Sequence, residues 1–376
     1  MRVNLLVVED DLDEINDWKK IVSRHNLKSE FDQSISFHLE IANNIEEARV
    51  KINTYNFSVA IIDVRLKQEE DTEGYNNTDG IDVLNEIMET TSCFSVIYTG
   101  QPKDAEDNIN HEHKNYIKII DRTTSKSALL NSLIEDEKDI VLSIHEMKNK
   151  FSKSMSSLFY KSIWPRWSYW LENSEQKPTE QALTRHMATH LHATFLNNDG
   201  QGAHPEEYFF IPPLQDNLDT GDIILQGDKL EIIVTPRCDM IRAKSATPTI
   251  QLVTLLDRKN DWESLKSTLS QKQAEGVQKK IDNALGAIKK FTNHNGETGG
   301  HFIQGFRIYI NGKEQSFGPY YAQFNLLRSI ERSDENIKNL LDCRIASLSN
   351  EFVPSLVERL GAYFSRIGTP DYSHPE

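Results

Sequence analysis

Apolar positions in the first 140 residues follow two spacings in turn. Short, nearly unbroken apolar runs rich in β-branched residues occur at Arg2–Val8 (RVNLLVV), Ser36–Ala42, 57–64 (FSVAIIDV), 93–98 (CFSVIY) and 116–120, and these read as strands. Between them, mixed stretches place apolar residues three or four apart. Residues 11–25 carry Ile15, Trp18, Ile21 and Val22 on one helical face, and further helices are predicted over 45–55, 81–89, 103–111 (a weaker pattern) and 125–134. Parallel strands need crossover connections, so strands alternating with helices predict a doubly wound, five-stranded parallel sheet with helices on both faces.

The fifth helix pattern runs into the acidic stretch 135–139. Residues 140–172 then read as helical, with Ile140, Ile144, Met147 and Phe151 in register, until Pro165 kinks or ends the helix. A further helix is expected over 180–197. β-type runs follow at 208–214, 222–225, 230–236 and 249–257, with turn residues between them, which predicts a small antiparallel sheet or barrel. One long helix is expected over 262–291, then a hairpin, then two helices over 334–366. The expected organisation is residues 1–140 as the α/β domain, 141–175 as a helical connector, and 176–376 as a separate α+β domain.

Composition narrows the function. The 376 residues contain no apolar run long enough for a membrane span and no secretory leader pattern, and the three cysteines are scattered. A cytoplasmic protein that engages no membrane is expected. Residues 1–150 hold 30 Asp and Glu against 17 Lys and Arg, whereas 151–376 hold 27 against 25. Neither part has the basic excess that phosphate-backbone binding needs, so no DNA partner is expected.

The acidity of the first part coincides with candidate chemistry. In open α/β sheets the crevice lies at the carboxyl ends of the strands. The first strand ends at Glu9 and Asp10, the third around Asp63, and the fourth at Thr99. Carboxylates brought together in this way repel, and a hard divalent cation such as Mg²⁺ relieves the repulsion. A carboxylate beside such an ion can also accept a phosphoryl group in an in-line transfer.

The runs LLVVEDD, VAIIDV, DGIDVLNEI and VIYTG resemble the receiver domain of bacterial response regulators over about residues 1–137. The resemblance implies a phosphoacceptor at Asp63 that takes its phosphoryl group from a sensor histidine kinase. It also implies Mg²⁺ held by Asp10, Asp63 and the backbone carbonyl of Arg65, with Glu9 acting through water, and Thr99 as the switch hydroxyl. The family's fifth-strand Lys falls by register at Asp121 or Arg122; Arg122 is a candidate substitute cation, and Lys118 is nearby. Tyr116 is the nearest aromatic to the family's switch residue, and residues 67–80 form an acidic insert where the family has a short turn. A phosphate acceptor or sink with a weak switch response is therefore expected. The overall arrangement is also similar to the receiver proteins of bacterial anti-phage two-component-like defence systems, which implies phosphate accepted from a sensor kinase and buffering of the signal; an effector protein is a further expected partner.

In the second part, His186 and His190 share a helical face, with His192 close by, at a spacing that metal ligands use. No third ligand is identifiable, and a surface or core helix with three histidines is the simpler account. Cys238, beside Asp239 at a strand end, would be a nucleophile if a histidine such as His204 lay near; a turn is the simpler account. An alternative function follows from these residues: an effector enzyme gated by phosphorylation, with its active site in 176–376. The lysines of 262–291 read as a solvated helix face.

Overall fold

The structure is a computed structural model and describes residues 1–32, 34–66, 79–109, 117–172, 179–196, 203–241, 247–293, 299–310 and 312–366. The chain divides into two compact units, Met1–Asp199 and Gly200–Glu376.

The first unit opens with β1 (Arg2–Val8), α1 (Leu12–Asp32), β2 (Ser36–Ala42), α2 (Ile45–Thr54) and β3 (Val59–Ile62). It continues with α3 (Asp79–Thr90), β4 (Phe94–Thr99), α4 (Pro102–Asn108), β5 (Lys118–Asp121) and α5 (Lys126–Glu135). All sheet pairings are parallel, in the order β2-β1-β3-β4-β5. Successive side chains of a strand point to opposite faces, so a strand covered on both sides must be apolar at every position. β3 meets this condition, since Val59, Ala60, Ile61 and Ile62 are all buried. Leu6, Val8, Ala60 and Ile62 pack under Ala48, Ile52, Leu84 and Ile87 of α2 and α3. Leu5, Val7, Val59 and Ile61 pack under Trp18, Val22, Leu129 and Leu133 of α1 and α5. Asn44 and Ser125 cap α2 and α5 by accepting hydrogen bonds from the Glu47 and Ala128 amides.

Past α5, α6 (Lys138–Leu158) folds back onto the amino-terminal ends of the strands. The half-buried Lys148 ammonium donates to the Phe57 carbonyl at 2.5 Å, the Thr91 hydroxyl at 2.7 Å and the Ser92 carbonyl at 2.8 Å. These acceptors satisfy all three of its protons. The helical path then widens over Phe159–Ile163, tightens over Trp164–Arg166 around Pro165, and resumes as α7 (Trp167–Leu171). α8 (Thr179–Leu196) packs on α6, with the Phe151 and Phe195 rings 4.8 Å apart. α8 thus pairs with the connector helix and belongs to the first compact unit.

The second unit contains β6 (Phe209–Phe210), β7 (Asp222–Gln226), β8 (Lys229–Ile233), α9 (Arg237–Ile241), β9 (Thr249–Asp257), α10 (Lys259–Glu275), α11 (Gln278–Thr292) and β10 (Gly300–Ile303). It ends with β11 (Phe306–Ile310), β12 (Lys313–Phe317), β13 (Tyr320–Glu331), α12 (Asp334–Asp342), β14 (Arg344–Leu348) and α13 (Val353–Phe364). Seven strands make one antiparallel sheet, ordered β10-β13-β9-β8-β7-β14-β6, and β11 and β12 form a separate hairpin. The alternation is plain in adjacent residues. Ile223 and Ile232 join the cluster with Leu356 and Leu360 of α13, while Ile224 and Ile233 join the cluster with Leu340 of α12.

Three sequence expectations change here. The helix expected over 262–291 is two helices, because Gly276 adopts a left-handed conformation (φ 68°) and its amide closes α10 on the Gln273 carbonyl. The strand expected over 208–214 is only β6, since Pro212 and Pro213 have no amide to donate to a ladder. A strand, β14, lies between the two helices expected over 334–366 and pairs with both β7 and β6.

Candidate functional site

The backbone ladder runs on past the strand ends and fixes the loops that carry the acids. The Glu9 amide donates to Ala42 at 3.0 Å, the Asp63 amide to Val8 at 3.0 Å, and the Arg122 amide to Thr99 at 3.1 Å. Glu9, Asp10, Asp63, Thr99 and Arg122 thus meet at the carboxyl edge of one sheet. Carboxylate oxygens of Glu9, Asp10 and Asp63 all lie within 4.8 Å of one another. The oxygen-only donor set, with three formal negative charges, has the chemistry of a hard divalent cation site.

Arg122 reaches into this cluster. Its Nη2 is 2.5 Å from Glu9 Oε2 and 3.1 Å from Asp63 Oδ2. Of the two register positions read from the sequence, Arg122 is the one that enters the site. The Asp121 carboxylate turns back to accept from the Thr123 amide at 2.7 Å. Lys118 starts β5 and pairs with Glu137 at 2.7 Å, so it belongs to the opposite end of that strand. The buried Thr99 side chain lies beside the Asp63 carboxylate and opposes the rise in its pKa, and its hydroxyl accepts from the Gln101 amide at 3.3 Å. The Arg65 guanidinium pairs with Asp104 of α4 at 2.8 Å, two residues beyond Asp63. Tyr116 and residues 67–78 of the acidic insert lie outside the described residues.

Burial dominates the electrostatics. Glu9 is 2% exposed, and desolvation pushes its pKa up to about 7, against the opposing pull of Arg122. Asp63 is raised for the same reason, again against Arg122. A carboxyl raised in the folded state retains a proton that the unfolded chain releases. Stability should therefore fall as pH rises from the ordinary value of 4.5 to about 7, and then level off. By linkage the fall attributable to Glu9 is up to about 3 kcal/mol. Urea denaturation of the full chain at about pH 5 and about pH 8 checks it. Glu9→Gln should flatten the profile, and so should saturating Mg²⁺; a wild-type profile as flat as that of Glu9→Gln would refute the assignment.

One feature of the site was not read from the sequence. A Cβ on Gly80 would stand 1.8 Å from the Asp63 carbonyl oxygen and 2.8 Å from Val64 Cα, so the absent side chain lets the start of α3 close on the loop carrying Asp63. The Gly80 amide donates to the Val64 carbonyl at 3.1 Å. The pair Asp79-Gly80 at a helix start was the available signal.

Among the described residues, the other candidates lie apart from this cluster. The His186 and His190 rings are 4.2 Å apart on α8, and Trp170 packs on His186 at 5.1 Å. Among the described residues, the acid triad is the one group of three or more metal-ligating side chains that converges. Cys238 is exposed on α9, and His204 caps the short turn at Pro205–Tyr208. No described helix is long and apolar enough to cross a membrane.

No protein-family model matches the chain, and no curated protein matches it in sequence. Among solved structures, the chain is similar to a response regulator receiver domain protein (CheY-like) from Methanospirillum hungatei, at 17% identity over 37% of this chain and 97% of that one, with a TM-score of 0.27. It is also similar to a two-component response regulator from Clostridium difficile, at 19% identity over 37% and 95%, with a TM-score of 0.27. A third similar structure is the response regulator protein TrrA from Thermotoga maritima in complex with Mg²⁺ and BeF, at 16% identity over 37% and 98%, with a TM-score of 0.25.

Proposed function

We propose that the first unit is a phosphoacceptor of the receiver type, which takes a phosphoryl group from a histidine kinase onto Asp63 with Mg²⁺ bound at Glu9, Asp10 and Asp63. The observation that carries this reading is the convergence of three carboxylates, a hydroxyl and a guanidinium at the carboxyl edge of one parallel sheet. Each group has a task. An ionised Asp63 carboxylate is the nucleophile. Glu9 and Asp10 supply the negative charge that attracts the ion. Thr99 and Arg122 donate toward the oxygens on which charge builds during transfer. When bound, the ion neutralises charge on the transferring group. The Arg65 backbone carbonyl completes the ligand set that the sequence resemblance implies. A role in phosphate buffering or anti-phage defence, with an effector protein downstream, rests on that resemblance alone.

Incubation of the full chain with phosphoramidate and Mg²⁺, followed by intact mass measurement, tests the reading. The wild type should gain one phosphoryl group, and the gain should disappear with chelator, with Asp10→Ala and with Asp63→Asn. An equal gain in Asp63→Asn would overturn the assignment.

A further inference from the structure

The long strand β13 breaks its pairing beside a cavity of the second unit that lies outside the site described above. Ala322 pairs with Leu255 and Leu327 with Val253, so residues 323–326 stand opposite Thr254 alone. A bulge of this kind re-aims side chains and often lies beside a binding site. Here it carries Gln323 and Asn325 into the wall of a cavity of about 390 Å³. That cavity is also lined by Arg258, Tyr321, Tyr363 and Arg366, and among the described residues no carboxylate lines it.

Both arginines are held by rings. Arg366 lies over the Tyr363 ring at 3.9 Å, and its Nε donates to the Tyr363 carbonyl. Arg258 lies 5.8 Å from the Tyr321 ring and 5.4 Å from Phe291, with its Nε on Asp261 at 2.6 Å. Among the described residues these bonds use the ε-nitrogens and leave the η-nitrogens for an anion, and a guanidinium matches a phosphate better than any other side chain does. Side-chain amides read donor and acceptor edges.

We propose that this cavity binds a small ligand of the nucleoside monophosphate class, with its phosphate on Arg258 and Arg366 and its ring edge read by Gln323 and Asn325. The volume falls within the ordinary range for a small-molecule pocket. The cavity requires no phosphorylation of Asp63, so the two sites are tested separately.

Calorimetric titration of the full-length chain with AMP, GMP, CMP and UMP provides the test, with the matching nucleosides and inorganic phosphate run alongside. At least one nucleotide should saturate at one equivalent and bind about tenfold or more tighter than its nucleoside or phosphate alone. Arg258→Gln and Asn325→Leu should each weaken that binding about tenfold, whereas Arg307→Gln, on the exposed β11–β12 hairpin, should leave it unchanged. Asn325 is exposed, so its variant keeps the test valid if Arg258→Gln proves unfolded by circular dichroism. The proposal fails if no nucleotide saturates by about 5 mM, if phosphate alone binds as tightly, or if both cavity variants bind like wild type. A single-stranded oligonucleotide that binds far more tightly than any mononucleotide would also replace it.

Discussion

Gly80→Ala is expected to destabilise the first unit by about 3 kcal/mol or more, beyond the usual cost of one extra methyl in a packed core. The added carbon would meet the Asp63 carbonyl oxygen at 1.8 Å. Both the obstacle and the glycine are backbone, so no side chain can swing aside. Either α3 lifts away, losing the burial of Ile81, Leu84 and Ile87, or the end of β3 shifts and takes Asp63 with it. Gly286 is the control. It sits within α11 with nothing within 4 Å of its would-be Cβ, so Gly286→Ala should stabilise by about 0.5–1 kcal/mol through helix propensity alone. Hydrogen exchange of the β1 and β3 amides, measured with urea denaturation, separates the two cases. Gly80→Ala retaining wild-type protection in those strands would contradict the close approach.

The second large effect is expected at Arg122. Arg122→Ala should slow phosphoryl transfer to Asp63 by about 100-fold, the scale on which the loss of one preorganised charge donor is felt. Nη2 already lies 3.1 Å from Asp63, and the buried Nε has no partner among the described residues. A donor is therefore in place before any phosphoryl oxygen arrives. Arg122→Lys keeps the charge but loses the fork, and should fall between alanine and wild type. The alanine change also removes the cation that offsets Glu9 and Asp63, so its stability should depend on Mg²⁺ more steeply than that of the wild type. The rate of mass gain with phosphoramidate, with thermal denaturation across a Mg²⁺ series, checks both halves. Transfer at the wild-type rate in Arg122→Ala would assign the residue a purely structural part.

The first unit was legible because its code is local. A strand buried on both faces must be apolar throughout, and β1 and β3 are the plainest such runs in the chain. The acids at their ends mark where burial stops, so Glu9, Asp10 and Asp63 followed from the same pattern. The choice of Arg122 over Asp121 and Lys118 was not local. It depends on which of three neighbouring residues follows the last β4–β5 pair, Thr99 with Asp121. In the second unit, β14 was hidden because a five-residue strand between two helices has no periodicity of its own; its partners are more than 100 residues earlier in the chain. Gly276 was readable as a stop after the helix formers QKQAE, but the helical spacing on either side masked it.

The position of β14 sets the order in which the two units become complete on the ribosome. The five-stranded sheet has all its strands once residue 121 has been made, so the first unit can begin folding while the rest is translated. In the second unit, β6 reaches the sheet only through β14, and Arg344 and Ser347 of β14 hydrogen-bond to the buried Asp222 of β7. Until residues 344–348 emerge, β7 presents an open edge with an uncompensated acid. A nascent chain stalled before that point would carry a finished first unit fused to an unclosed sheet, prone to pair with other strands.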